Sequence, residues 1–377
     1  MNPPNANSLP SHQGSEAQLK NQQFSDWRWQ LQNAVTSSDQ LSRQLKLTER
    51  ELAAARRAEA EGFPISITPY YLGLVDGDDP ECPIRRQVVP AAEEAVVVAG
   101  DLRDPLGEED HQVAPDLIQR YPDRVLLLVS DRCSVYCRFC TRSRMVGAGG
   151  GARSLTRLEP ALAYIRSHPE VSDVIISGGD PMVMSTSRLT ALVSAVRNIS
   201  SVQTIRLATR VPVTLPQRIT SELLQALRPL HPLWVMTHFN HPRELSDASR
   251  AACRALADAG FPVMNQTVLL KGINDNVTVL TELFRGLVRE RVRPYYLLQM
   301  DPVVGTSHLR TPLAVGQALM AELQGRLSGI ALPKFIVDAP GGFGKVPAGP
   351  SFVVAQRPGV TTFRTHRGLD VEYVDPP

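Results

Sequence analysis

Three of the chain's five cysteines, Cys133, Cys137 and Cys140, crowd into the segment DRCSVYCRFCTRSR, residues 131 to 144. A structural zinc site takes four Cys or His ligands, usually as two separated pairs, and a catalytic one keeps at least three. Here the spacing is C-x3-C-x2-C with no second pair downstream. An iron-sulfur cube normally uses four thiolates, so three leave one iron with a position open to a chelating substrate or cosubstrate. Arg138, Arg142 and Arg144 would also offset the negative charge of a thiolate-bound cluster and its ligands. Zinc, and buried thiols packing as small hydrophobes, are the competing readings of the same residues. The spacing and the arginines favour the cluster.

A second chemical candidate is Lys345 in DAPGGFGKVPAGP, residues 338 to 350. Glycines let backbone approach a bulky ligand, and a lysine partly removed from water loses its proton readily and becomes a competent amine for Schiff-base chemistry. A nucleotide P-loop is excluded, because Val346 stands where Ser or Thr is required and the four-residue spacer between glycines is missing. The competing reading of Lys345 is a solvated surface charge. Ser177-Gly178-Gly179-Asp180-Pro181 reads by itself as a tight turn. The glycine-rich run VGAGGGAR, 146 to 153, lacks the G-x-G-x-x-G form of a dinucleotide fingerprint and reads as a flexible linker.

These residues need elements to position them. From Val125 onward, short apolar runs (VLLLVS, DVIISGG, TIRLAT, LWVMTHF, PVMNQTVLL, PYYLLQM) alternate with helical segments such as SRLTALVSAVRNI, DASRAACRALADAG and NVTVLTELFRGLVRER. Six strand-then-helix units imply parallel strands with right-handed crossovers, in an open doubly wound sheet or a full or partial barrel. Polar residues recur at the strand ends: Ser177 to Asp180, Thr209-Arg210, His238, Gln266 and Asp301. Both architectures bind ligands there.

Before this core, residues 1 to 24 are expected to be disordered, the stretch from Asp26 to about Ala60 is helical in pattern, and Phe63 to about Pro105 reads as turns and short helices covering something else. The expected division is 1–24, an N-terminal region 25–120, a core 121–335 and a C-terminal segment 336–377. The 377 residues carry 40 basic and 38 acidic side chains, a balance of +2 that gives no general affinity for nucleic acid. The polar start lacks an export signal, and no apolar run approaches the roughly 18 residues of a membrane span, so a soluble cytoplasmic protein is expected. Cys82 and Cys253 are far apart in sequence, which argues against a disulfide framework and for a reducing compartment.

C-x3-C-x2-C after the first strand of a βα array resembles the radical S-adenosylmethionine (SAM) superfamily. PGGxGKxP near the C-terminus is similar to the pyridoxal 5'-phosphate (PLP) loop of its lysine 2,3-aminomutase family. DWRWQLQN, RYPDRVLLLVSDRCSVYCRFCTRSR, VIISGGDP, TRVPVTLPQRI, MTHFNHPREL, NQTVLLKGIND and PYYLLQMD carry the same resemblance, over roughly residues 25 to 365. It implies a partial (β/α)6 TIM-like barrel of the radical SAM type, with an N-terminal helical extension and a C-terminal PLP-binding segment.

The resemblance also implies roles. Cys133, Cys137 and Cys140 would hold a 4Fe-4S cluster whose open iron is chelated by the amino and carboxylate groups of SAM. Ser177, Gly178, Gly179 and Asp180 would contact the SAM amino group, with His238 and Gln266 as further SAM contacts. Lys345 would carry PLP, with Arg120 and Arg124 near its phosphate. Arg142 would pair with the substrate carboxylate. Asp301 and Asp338 match the two carboxylates of lysine-specific members, where glutamate-specific ones have a basic or amide side chain, so a cationic distal group is expected. The implied reaction is migration of the α-amino group of L-lysine to its β-carbon, with an electron donor such as flavodoxin or ferredoxin. Arginine as substrate, or β-lysine made for a translation elongation factor, are alternatives within the family. A non-catalytic iron-sulfur electron-transfer protein is the alternative outside it. In one respect the chain departs from longer members: Asn276 follows Gly272-Ile273-Asn274-Asp275 where they have a cysteine, and none occurs after Cys253. No structural zinc is therefore expected, and a homo-oligomer is left open.

Overall fold

The computed structural model describes residues 22–61 and 63–376. The expectation of disorder at 1–24 lies outside them except at 22–24, which carry helical backbone.

One ten-stranded sheet runs in sequence order: β1 (Gln112–Ala114), β2 (Leu117–Tyr121), β3 (Arg124–Ser130), β4 (Asp173–Gly178), β5 (Thr204–Ala208), β6 (Leu233–Thr237), β7 (Val263–Leu269), β8 (Val292–Gln299), β9 (Lys334–Ala339) and β10 (Gly344–Pro347). Strands β3 to β9 are parallel, and antiparallel pairs flank them at both edges. The six expected strand–helix units are all present, and the helix Leu313–Gln324 returns the chain to a seventh parallel strand, β9. Five of the six crossover helices start where a side chain can satisfy free N–H groups of the first turn, at Ser154, Ser185, Thr220, Ser246 and Asn276.

Alternation along the strands sorts residues between two environments. In β7, Val263, Asn265, Thr267 and Leu269 are buried, while Met264, Gln266 and Val268 are half-buried. The large apolar core joins the first kind of position in β3 to β9 with the inward faces of the helices. The second kind, Leu126, Ile175 and Leu298 among them, points to the other face of the sheet and is only half-buried.

Strands β2 and β9 stand seven strand spacings apart, about 33 Å in a flat sheet. Yet Arg120 of β2 reaches Asp338 of β9 at 3.1 Å, and the backbone N–H of Lys345 in β10 donates to the Tyr121 hydroxyl at 2.7 Å. The sheet is therefore curled into a barrel whose ends meet through side chains, and among the described residues no backbone ladder closes it. In the sequence, QRYPDR reads as chain leading into the first strand. In the structure it forms the turn of the β2–β3 hairpin, which supplies this closing edge.

The N-terminal extension contributes the helices Trp27–Gln32, Ser38–Gln44 and Glu49–Ala60, the last started by a Thr48/Glu51 capping box. Buried Arg85 ties it to the covering stretch through Glu51, at 2.7 Å from both Nε and Nη2. The C-terminal residues beyond the Lys345 loop, for which the expected segment 336–377 carried no strands of its own, form a separate antiparallel sheet of β11 (Val353–Arg357), β12 (Val360–Arg364) and β13 (Asp370–Val374). Its outer strands are exposed throughout, so they carry no alternation to read. No helix among the described residues is long and apolar enough to cross a membrane.

Candidate active site

The cysteine loop leaves the end of β3 and is clamped by the end of β4. The N–H of Gly179 donates to Ser130 O at 2.5 Å and that of Asp180 to Arg132 O at 2.7 Å. A Cβ on Gly178, whose φ is +116°, would collide with the Ser130 carbonyl, and one on Gly179 with the Arg132 carbonyl, so this approach requires both glycines. The Asp180 carboxylate accepts from Met182 N, Thr209 Oγ1 and Arg210 N at 2.7–2.9 Å, which pins the end of β4 to that of β5. Burial raises its pKa against those bonds. The glycine-rich run after the loop folds back on Asp131, whose carboxylate accepts from the N–H groups of Gly150 and Gly151 at 2.6 and 2.7 Å.

The three half-buried cysteines are electrostatic neighbours. Burial, then Asp180 and the other two thiols, pushes Cys133 well above the ordinary thiol value, and burial followed by Cys137 pushes Cys140 up to about 11. Such thiols ionise when a metal binds them. No three His, Cys, Asp or Glu side chains among the described residues converge on a point fit for a single ion. A cube does not need convergence, since each thiolate meets a different iron, so the donor set fits a cluster better than zinc. Near it, burial and then Arg210 lower His238 to about 3, so its imidazole is neutral; Nε2 lies 3.1 Å from Asn240 Oδ1. Gln266 is half-buried on the face of β7 that it shares with Met264 and Val268, in register with Tyr296.

A second group gathers where the sheet closes. The Asp338 carboxylate bridges Lys345 Nζ and Arg120, and its pKa is lowered because those two cations outweigh its burial. The Arg124 guanidinium lies 4.3 Å over the Tyr121 ring and also pairs with Asp123 at 3.0 Å. Gly341, Gly342 and Gly344 have φ of +86°, +85° and +91°. A Cβ on Gly344 would stand 2.7 Å from the Tyr121 hydroxyl. The loop thus lies against Tyr121, with Arg120 reached through Asp338 and Arg124 stacked over the Tyr121 ring, so two guanidiniums flank the strand that the loop packs on. Asp301 makes no ion pair among the described residues, and burial, then the nearby Asp338 charge, raises it to about 7 against the pull of Lys345, Arg120 and Arg142.

Arg142 lies between the two groups. It acts on the Cys133 and Cys140 thiols and on Asp301, and its Nη1 is 3.4 Å from Ser177 Oγ. Its principal partner is Glu108, at 2.8 Å from Nε and 2.7 Å from Nη2. Glu108, 3% exposed, also meets Arg144 at 3.2 Å. The same covering stretch touches the lysine loop, where the Gly341 N–H donates to Pro105 O at 2.9 Å. Sequence reasoning missed Glu108, which sits in the acidic run GEED with no periodicity to mark it, and its partners lie more than 30 residues away.

Glu108→Gln should leave two guanidiniums without their shared charge. We expect a loss of about 3 kcal/mol, the scale for breaking a buried pair, seen as a lower midpoint in chemical denaturation of the apoprotein. Burial raises the Glu108 pKa but Arg142 and Arg144 outweigh it and hold it below its ordinary value. The contribution is therefore present at neutral pH and lost on acidification through the folded-state value. Equal midpoints for both proteins at neutral pH would refute it.

Residues 127–282 match the model of the Radical SAM superfamily, and residues 320–377 match that of Lysine-2,3-aminomutase. The class is thus a radical SAM enzyme whose C-terminal segment is of the aminomutase kind. The chain is 44% identical over 358 residues to L-lysine 2,3-aminomutase of Fusobacterium nucleatum, covering 95% of this chain and 84% of that protein. It is 44% identical over 353 residues to L-lysine 2,3-aminomutase of Clostridium subterminale, covering 94% and 85%. To glutamate 2,3-aminomutase of Clostridioides difficile it is 38% identical over 354 residues, covering 94% and 83%. The chain belongs to the lysine 2,3-aminomutase family. It is a radical SAM isomerase that uses a 4Fe-4S cluster, SAM and PLP.

Proposed function

We propose that the enzyme interconverts L-lysine and β-lysine by migration of the amino group between adjacent carbons. The observation that carries this reading is Asp301, a half-buried carboxylate that makes no ion pair among the described residues and lies near enough to Asp338 to feel its charge. A desolvated ammonium needs opposite charge close by, and a distal carboxylate would meet two like charges instead.

When bound, the cluster with SAM would supply a radical able to take hydrogen from an unactivated carbon, and PLP would supply delocalisation of the unpaired electron while the nitrogen moves. The chain's own residues hold and orient. Cys133, Cys137 and Cys140 ligate the cluster, and Ser177, Gly178, Gly179, Asp180, neutral His238 and Gln266 form the SAM side of the site. Lys345 carries PLP, with Arg120 and Arg124 at its phosphate. Arg142 receives the substrate carboxylate, and Asp301 with Asp338 its distal ammonium. Fixing both ends of a flexible amino acid selects one carbon for attack.

A flavodoxin- or ferredoxin-type donor would supply the electron. The cytoplasm suits the thiols, and the exposed Leu369, Val371, Tyr373 and Val374 of the C-terminal sheet support a homo-oligomer. The test is anaerobic incubation of purified enzyme with SAM, reductant and lysine, arginine or glutamate in parallel. β-Lysine should be the dominant product. Preferential conversion of glutamate or arginine would overturn the substrate assignment, and absence of SAM and PLP binding would leave an electron-transfer protein.

A further inference from the structure

We propose that Arg210 is a positioning residue for the cluster, one that raises its reduction potential by presenting an N–H and a fixed positive charge to the sulfur of Cys137. The inference rests on the reading of Cys137 as a cluster ligand. Arg210 follows the end of β5 and is 8% exposed. Its Nη1 donates to Cys137 Sγ at 2.7 Å. Every other donor of the guanidinium that has a partner points elsewhere, and those partners fix its plane. Nη2 meets Glu244 Oε1 at 2.7 Å, Gln87 Oε1 at 2.6 Å and the Tyr71 hydroxyl at 3.1 Å, while Nε donates to His238 O at 3.2 Å. The backbone N–H donates to Asp180 Oδ2 at 2.7 Å.

Glu244, 0% exposed, is itself fixed by the N–H groups of Asn240 and His241 at 2.6 and 2.9 Å and by the Tyr71 hydroxyl at 2.7 Å. This scaffold exceeds what a solvated arginine would need, and it leaves one arm of the fork for the sulfur. Arginine is suited to that geometry because its donors are coplanar and its charge is permanent. Hydrogen bonds to cluster sulfurs and net charge beside them set the potential of iron-sulfur centres. A cation at hydrogen-bond distance favours the reduced cluster, which carries one more negative charge. Tyr71 and Gln87 belong to the covering stretch, so the N-terminal region holds the tuning group in place.

The experiment reconstitutes wild type, Arg210→Gln and Arg210→Lys anaerobically, without SAM, and measures iron, sulfide and the midpoint potential by EPR-monitored titration. Arg210→Gln should retain a cluster whose midpoint is shifted to more negative potential. Arg210→Lys keeps the charge opposite Glu244 but cannot span both Glu244 and the sulfur, so it should shift the same way by less. A wild-type midpoint in Arg210→Gln at full iron content would overturn the proposal. If Arg210→Gln does not fold, as judged by circular dichroism, Arg210→Lys decides, and an unshifted midpoint there overturns it. Full cluster content in Cys137→Ala would instead locate the failure in the ligand assignment.

Discussion

Cys133→Ala, Cys137→Ala and Cys140→Ala should each take up iron and sulfide only at background level, while Cys82→Ala and Cys253→Ala should retain the full complement. The expected effect is large because disturbing even a residue that supports a metal ligand commonly costs 10- to 100-fold in affinity. Removing a ligand from a site that already lacks a fourth protein thiolate should exceed that. The other two thiols serve packing. Cys82 is 0% exposed and accepts from Asp76 N at 3.3 Å, and Cys253 is buried on the helix Asp247–Asp258, with burial and then the Glu290 charge pushing its thiol up to about 12. Lys345→Ala should separate the two cofactors, keeping the iron and losing pyridoxal absorbance. Borohydride reduction of the wild type should place the pyridoxyl label on Lys345 in peptide maps. Full cluster in any trio variant, or label on another lysine, would refute these assignments.

The second large effect concerns Asp301 and Asp338. Replacing either by Asn should weaken lysine binding by about 2 to 5 kcal/mol, the cost of breaking a desolvated charge pair, and replacing both should leave no site for the ammonium. The pH dependence distinguishes the two positions. Burial, then the Asp338 charge, holds the Asp301 carboxyl at about 7 in the empty site, so below that pH it is protonated and must release its proton to bind a cation. Lysine affinity should therefore rise with pH by about tenfold per unit up to that value and flatten above it. Asp301→Asn should remove the slope.

Stability runs the opposite way. A carboxylic acid whose pKa rises on folding favours the folded state least once pH exceeds its folded value. Asp301→Asn should thus stabilise the empty protein above pH 7, by up to about 4 kcal/mol for a shift from the ordinary 3.9. Equilibrium binding across pH and denaturant unfolding at pH 8 check both signs. Unchanged lysine turnover in the double variant would show that these aspartates do not read the substrate.

How much of this was legible in advance follows from the range of the interactions. The sequence alone determined the cysteine loop, because C-x3-C-x2-C is a local spacing. It determined the βα alternation, because each strand and helix carries its own period. It determined the Lys345 loop, because Gly341, Gly342 and Gly344 answer to backbone angles that are local too. Only the tertiary structure decided how the sheet curls, since Arg120 and Asp338 meet across 218 positions of chain. It alone separated two aspartates that look alike in sequence: Asp338 is ion-paired with Lys345 and Arg120, whereas Asp301 makes no ion pair among the described residues. It alone found Glu108 and the sulfur contact of Arg210, because a charge declares its role through the partners that surround it, and those partners come from β-strand ends and loops that adjoin only once the barrel has formed.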